Sequence, residues 1–332
     1  MMTTSFSESL ADNAPGRTCP LHYRYDPCVF NQPPSPELAD LDVLYVVGGL
    51  YGNVLALDAI ESMFALESGN KRLVFNGDFH WFDADPTMFS QIETGVGKHL
   101  AVRGNVETEL ASEDDEAGCG CAYPDWVEDG IVERSNLILQ RLRGCMTTGV
   151  RQRLLSLGMW QVASVGHHRV GIVHGDAQSL AGWGFAQEHL QDPAHQETVA
   201  NWFAAAQVDV FASTHTCLPV MQAIKPRVHS GLKSSHKPGW IINNGAAGMP
   251  NFEGNTAGLL TRIAKSPYDG PASMAHVQSD GLNIDLLAIE FDQVHWQEMF
   301  MHVWPEGSHA QQSYWQRITK GPSYQPSQVI RP

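Results

Sequence analysis

Leu73-Val74-Phe75-Asn76-Gly77-Asp78 is a short apolar run that stops at a glycine and a carboxylate, and the same arrangement recurs along the chain. Leu44-Tyr45-Val46-Val47 leads into Gly49-Leu50-Tyr51-Gly52-Asn53, and His99-Leu100-Ala101-Val102 into Gly104-Asn105. Residues 170–173 lead into His174-Gly175, and Val208-Asp209-Val210-Phe211 into Ala212-Ser213-Thr214-His215. Short apolar runs bounded by glycine or polar residues read as buried strands. Side chains at the ends of such strands converge on one rim of an α/β sheet, where these folds build sites. Between the first three runs, 54–66 spaces Leu57, Ile60 and Phe64 as a helix would, and 86–92 reads as a second helix. The resulting β-α-β-α-β order predicts parallel strands joined by crossover helices.

The chain has 332 residues, 43% of them hydrophobic and 17% charged, which is an ordinary globular balance with ample length for a core. Length alone suggests two domains. The five segments must meet in space, however, so one main domain is expected over 41–300. Residues 1–40 read as an N-terminal arm, polar at first and then rich in breakers at Asn31-Gln32-Pro33-Pro34-Ser35-Pro36. Residues 111–157 read as a cap-like insertion, opened by Glu113-Asp114-Asp115-Glu116 and carrying helices at 133–143 and 150–157. Further helix is expected at 192–206, and strands at 160–165, 220–224, 240–243, 259–263 and 284–291. Residues 301–332 read as a polar C-terminal strap.

A formal charge of −15 argues against long nucleic acids and anionic membrane surfaces as partners. No run is long and apolar enough for a transmembrane helix, and 1–17 has no apolar segment of the signal-peptide type. Six cysteines are too few for a disulfide framework, so a cytoplasmic, reducing location is expected. The oligomeric state is not legible.

The order of the segments, with their surviving Asp, Asn, His and His, resembles the calcineurin-like metallophosphoesterases over roughly residues 41–265. That resemblance implies an α/β fold of two mixed sheets packed face to face and flanked by helices. It also implies a site for two divalent metals bridged by a carboxylate, with ligands in the order Asp-x-His, Gly-Asp, Gly-Asn-His, a lone His and Gly-His-x-His. On this chain Asp78 takes the place of the bridging carboxylate, Asn105 of the Asn ligand and His174 of the lone His. His215 takes the second His of the last pair, which serves the first metal, and Ser213 replaces the first. Gly49 and Tyr51 replace the opening Asp and His, and Val106 replaces the His thought to protonate the leaving oxygen. Glu107, Tyr51 and His80 are the alternatives for that acid.

The expected metal set is therefore Asp78, Asn105, His174 and His215, the same residues that would carry catalysis. Manganese, iron or zinc would suit such oxygen and imidazole ligands. One site would be well occupied, on Asp78, Asn105 and His174, and a second weak or absent. Tyr51, Asn53, His80 and Asn243 are candidate contacts to a small phosphate-containing substrate. Cys119 and Cys121 read as loop thiols without metal, and Cys217 as a small packed hydrophobe. The resemblance implies an atypical metal-dependent phosphoesterase that hydrolyses a phosphate ester through metal-activated water. The alternative is a catalytically inactive relative that binds a phosphate-containing ligand or a partner.

Overall fold

The computed structural model describes residues 14–113, 116–226 and 237–331. The first thirteen residues of the expected arm, and Asp114 and Asp115, lie outside them. The elements run β1 (Val43–Val47), α1 (Val54–Leu66), β2 (Lys71–Asn76), α2 (Pro86–Val96), β3 (Leu100–Val102), α3 (Asn105–Ala111), α4 (Asp129–Leu142) and α5 (Thr148–Ser156). They continue with β4 (Trp160–Val165), β5 (His168–Val173), α6 (Pro193–Ala206), β6 (Val210–Ser213), β7 (Pro219–Ile224), β8 (Gly239–Asn244), β9 (Gly258–Ala264), β10 (Ser273–Ser279), β11 (Leu282–Ile289), α7 (Gln293–Val303), α8 (His309–Lys320) and β12 (Ile330–Arg331).

Two six-stranded sheets form, in the orders β10-β11-β9-β1-β2-β3 and β12-β7-β8-β6-β5-β4. β1, β2 and β3 pair in parallel, as do β5, β6 and β8. The two-residue period of a strand decides what each side chain meets. Leu44 and Val46 of β1 face the second sheet, packing with Val74, Ile172, Ala212 and Ile242. Val43, Tyr45 and Val47 face the other way, into a core shared with α1, α2, α4, α7 and α8. The outer face of the second sheet offers Val173, Phe211 and Ile241 to α6 and to Phe30 of the N-terminal arm. The result is a mixed α/β architecture of two packed sheets with helices outside.

Three features depart from the sequence reading. β10 is an additional edge strand, three of whose residues are exposed. The last third also carries α7, where no element was expected, and α8, where a polar strap was expected. Trp296, Phe300 and Val303 of α7, followed by Trp304, Ala310 and Ile318, bury one stripe against the first sheet's helices, and the polar residues of α8 face out. Finally, Asn105 opens a short helix, α3, not a plain loop. No helix among the described residues is long and apolar enough to cross a membrane.

Candidate metal centre

The loops that follow β1, β2, β3, β5 and β6 meet at one rim, and their backbones are drawn unusually close. Gly77 has a φ of 75°, and a Cβ there would stand 2.4 Å from the Gly104 amide nitrogen and 2.7 Å from His174 Nδ1, so only glycine fits. Asp78 follows with a φ of 51°, a left-handed conformation that a non-glycine residue holds only where its surroundings enforce it. The enforcement comes from Glu107, one turn into α3 and fully buried. One of its carboxylate oxygens accepts the amides of Asp78 and Gly104, both at 2.8 Å; the other accepts those of Phe79 at 3.0 Å and His80 at 3.4 Å. The loop that carries Asp78 is thereby fastened to the loop that carries Asn105.

Hydrogen bonds on the outer side of each polar group assign what faces inward. His174 Nδ1–H donates to the Asn76 carbonyl at 2.8 Å, leaving Nε2 as a lone pair. His215 Nε2–H donates to the Cys121 carbonyl at 3.0 Å, leaving Nδ1. Asn105 Nδ2 donates to the Cys119 carbonyl at 2.9 Å, leaving Oδ1. His174 Nε2 lies 3.1 Å from Asn105 Oδ1, 3.1 Å from His215 Nδ1 and 3.4 Å from Asp78 Oδ2. Asp78, Asn105, His174 and His215 are all buried. Four electron-pair donors thus converge with little access to water, an arrangement that a positive charge among them stabilises.

That charge can be a proton or a cation. Burial alone would lower the His174 pKa, but the Asp78 carboxylate turns the shift upward, so a proton on Nε2 compensates the cluster when no cation is bound. His215 does not share in this: burial and the adjacent His174 push it down to about 3. A divalent cation fits the same place. Ligand atoms about 2.0–2.1 Å from a tetrahedral centre stand about 3.3–3.4 Å apart, close to the separations observed. Each imidazole already carries the outer carbonyl partner typical of a metal-bound histidine. Two imidazoles, an amide oxygen and a carboxylate suit manganese, iron or zinc.

No family model and no curated protein matches the sequence. The structure, in contrast, is similar to a metallophosphoesterase from Sphaerobacter thermophilus, at 16% identity and a TM-score of 0.51, over 85% of this chain and 100% of that one. It is also similar to the hypothetical protein PH1004 from Pyrococcus horikoshii OT3, at 14% identity and a TM-score of 0.54, over 85% of this chain and 99% of that one. The chain has the calcineurin-like phosphoesterase fold. At these identities the likeness is one of architecture, and the site has to be argued from its own atoms.

Those atoms change the expected grouping. His215 stands with Asn105 and His174, not apart from them at a separate first-metal position. Ser213 ends β6 with its hydroxyl buried and unpartnered. Cys217 Sγ lies 2.8 Å from the Tyr51 hydroxyl, so the thiol is a partner of Tyr51 and not merely a packed hydrophobe. Both residues have left-handed φ, 54° for Tyr51 and 61° for Cys217.

The other candidate contacts are spent on the scaffold. Asn53 Oδ1 caps α1 by accepting the amides of Leu55 and Ala56, and its Nδ2 donates to the Gly248 carbonyl. Asn243 Oδ1 accepts the Gly245 amide while its Nδ2 donates to Thr216. His80 turns away from the rim: it lies between Asp83 at 2.6 Å and Glu93 at 2.8 Å and stacks on Phe89. Burial would lower its pKa, but the two carboxylates carry it up to about 9. Glu107 is fully engaged as described. Cys119 and Cys121, expected as loop thiols without metal, lie side by side with their sulfurs adjacent. Their backbone carbonyls, which no residue-type pattern could reveal, hold two of the four inward-facing side chains.

Proposed function

We propose that this protein is a metal-dependent phosphoesterase with a one-cation centre on Asp78, Asn105, His174 and His215, acting on a small phosphate ester in the cytoplasm. The observation that carries the reading is the convergence of four buried electron-pair donors whose hydrogens all point outward. A divalent cation held there supplies Lewis acidity, polarising a phosphoryl oxygen and raising the acidity of water. The chain's own residues supply the rest. Asn76, Cys119 and Cys121 fix the orientation of His174, Asn105 and His215 through their carbonyls. Of the three alternatives for a proton donor, Glu107 and His80 are engaged elsewhere, which leaves Tyr51. Burial, then Cys217 and Asp78, hold its phenol well above the usual range, so it stays protonated and its part is to donate a hydrogen bond to the leaving oxygen, not to release a proton readily. The net charge of −15 favours a small substrate over a polyanion.

The second metal of the resembled pattern has no place in this reading. A Cβ on Gly49 would meet the Tyr51 ring at 2.8 Å, so the phenol fills the space that a ligand at 49 would need. The same feature, with the burial of the four ligands, favours the second reading, a non-catalytic protein that binds a phosphate-containing ligand.

Metal content per chain tests the centre, measured by plasma mass spectrometry on protein purified without chelator or a metal-binding tag, and turnover then separates the two readings. Hydrolysis of p-nitrophenyl phosphate and bis(p-nitrophenyl) phosphate follows. One ion per chain and a turnover abolished by Asp78→Asn and His174→Ala support the enzyme. One ion without turnover, but with phosphate compounds raising the melting temperature, supports the binding protein. Near-zero metal after incubation with manganese or zinc defeats the one-cation centre.

A further inference from the structure

We propose that the cavity beside Trp183 is a binding site for an organic cation of the alkylammonium class, a trimethylammonium group being the type. The cavity has a volume of about 460 Å³, within the range of small-ligand sites. Four rings line it: Trp183 and His189 from the connection between β5 and α6, and His195 and Trp202 from α6 itself. Neighbouring rings stand at steep angles to one another. His189 and His195 have centroids 5.7 Å apart at 56°, and His195 and Trp202 have centroids 5.7 Å apart at 85°. They wall a space and do not stack into a flat platform. A fifth ring, Trp126, stands edge-on to Trp183 and His189 at 6.4 and 5.4 Å. Trp126 is 59% exposed, although an indole gains most by burial.

Charge selects the ligand. Among the described residues, no lysine or arginine lines the cavity, and two carboxylates do, Asp176 and Asp192. Asp176 is buried, with one oxygen accepting the amides of Gln178 and Ser179 at 2.8 and 2.9 Å and the other that of Gly184 at 2.9 Å. Burial, which those amides only partly offset, raises its pKa, and a cation at its side would favour the charged form. Asp192, exposed at the rim, caps α6 by accepting the Ala194 amide. Each imidazole is held by a backbone carbonyl: His189 Nδ1–H donates to Trp183 at 3.0 Å and His195 Nε2–H to Gly184 at 2.7 Å. An anion would meet carboxylates and ring faces with no cation opposite, and a flat neutral ring would need two parallel faces. An alkylammonium ion is attracted to ring faces and carboxylates alike. Trp183 also reaches the cation centre. Its Nε1 donates to the Cys121 carbonyl that holds His215, and its ring meets His215 edge-on with centroids 5.4 Å apart. The alkylammonium group therefore has two sources, a free cation or a phosphate ester that carries one.

The test is isothermal titration calorimetry on the metal-free full chain, with tetramethylammonium and choline as probes. Dimethylbutanol, the uncharged isostere of choline, is the control for shape. Choline should bind roughly 10-fold tighter than the isostere, the contribution of a cation among desolvated rings. Two variants that spare the core check the walls. Trp126→Ala removes an exposed ring, and Asp192→Asn removes a charge while keeping the helix cap, since asparagine caps as well as aspartate. Each should weaken choline by about 2–5-fold at an unchanged melting temperature, and Asp192→Asn should leave the isostere's affinity where it was. Equal affinities for choline and dimethylbutanol overturn the proposal and leave an apolar pocket. No binding of either cation overturns it, as does tighter binding of adenosine or inorganic phosphate than of choline. Choline affinity unmoved in both variants places the cation elsewhere and overturns it too. Phosphocholine, titrated into cobalt-loaded protein, then separates the two sources: binding well above that of choline makes the group part of an ester at the cation centre, and equal binding makes the ligand a free cation. The first titrations use metal-free protein, so their failure leaves the one-cation centre standing, and loss of that centre leaves the alkylammonium site standing.

Discussion

Glu107→Gln separates a scaffold carboxylate from a catalytic one. The two carboxylate oxygens of Glu107 accept four backbone amides, from Asp78, Gly104, Phe79 and His80. An amide side chain offers only one oxygen, and its NH2 group must face two of those N–H donors. It will turn toward the weaker pair, Phe79 and His80, whose distances are 3.0 and 3.4 Å. Two buried donors are then left unsatisfied, at about 1–3 kcal/mol each. Because the His80 contact is already long, the expected loss is in the lower half of that sum, about 2–4 kcal/mol. Urea unfolding followed by tryptophan fluorescence measures it, read as a shift in midpoint at constant slope. The cation affinity should fall in the same variant, since the two loops released carry Asp78 and Asn105. If Glu107→Gln keeps wild-type stability within about 0.5 kcal/mol, well below the cost of even one orphaned donor, and loses turnover alone, the scaffold argument is wrong and Glu107 reaches the reacting atoms.

Three further outcomes are expected. Tyr51→Phe removes one hydrogen bond to Cys217, so it should cost about 0.5–1.5 kcal/mol of stability and keep one ion per chain. Its turnover should drop by about 10²–10³-fold, the effect of losing a fixed hydrogen-bond donor, and loss of the metal instead would make Tyr51 a ligand. The His80–Glu93 pair should leave a mark on stability against pH. Burial would raise the Glu93 carboxyl, but His80 and Arg153 hold it at about 2, below its ordinary 4.5, so that contribution is present above 4.5 and lost as pH falls through 2. His80, raised from 6.5 to about 9, contributes fully below 6.5 and loses its contribution as pH rises through 9. The melting temperature should therefore fall between pH 6.5 and 9, with a flatter slope in His80→Gln; an equally steep fall in that variant would discard the pair as its cause. Finally, Gly49→Asp alone should destabilise by collision with the Tyr51 ring. Combined with Tyr51→His and Cys217→His it should raise the metal content toward two ions per chain, and a triple variant still holding one would refute the assignment of that space.

What could be read from the sequence was whatever leaves a residue-type signature. Apolar runs closed by Gly-Asp, Gly-Asn or His-Gly mark strand ends, and those ends do bring Asp78, Asn105 and His174 together. His215 was visible as a residue but not in its grouping. The pattern names His215 as a ligand but not which side chains it meets, and only the structure shows its Nδ1 beside His174 Nε2. Asn53, Asn243 and His80 were drawn into the expected site because polar side chains near a motif look functional. Each instead satisfies a buried backbone or carboxylate group that the strand-to-helix turns leave without water. α8 escaped because most of its residues are polar, and one buried stripe is enough to dock a helix.

The departures from the two-metal pattern are physically one change. Gly49 has no side chain, and that absence is what admits the Tyr51 ring; Tyr51 then places its hydroxyl on Cys217. Reverting any one of the three leaves a clash or a buried group without its partner, so the three positions are coupled through the space they share. The four-ligand cluster adjoins that unit through its backbone, the Asp78 carbonyl accepting the Tyr51 amide and the His215 carbonyl the Cys217 thiol, while its side chains are oriented by carbonyls at 76, 119 and 121 and its loops by the Glu107 cradle. The outer partners of His174, His215 and Asn105 satisfy buried polar groups with or without an ion, and they hold the lone pairs inward, the orientation a bound cation requires.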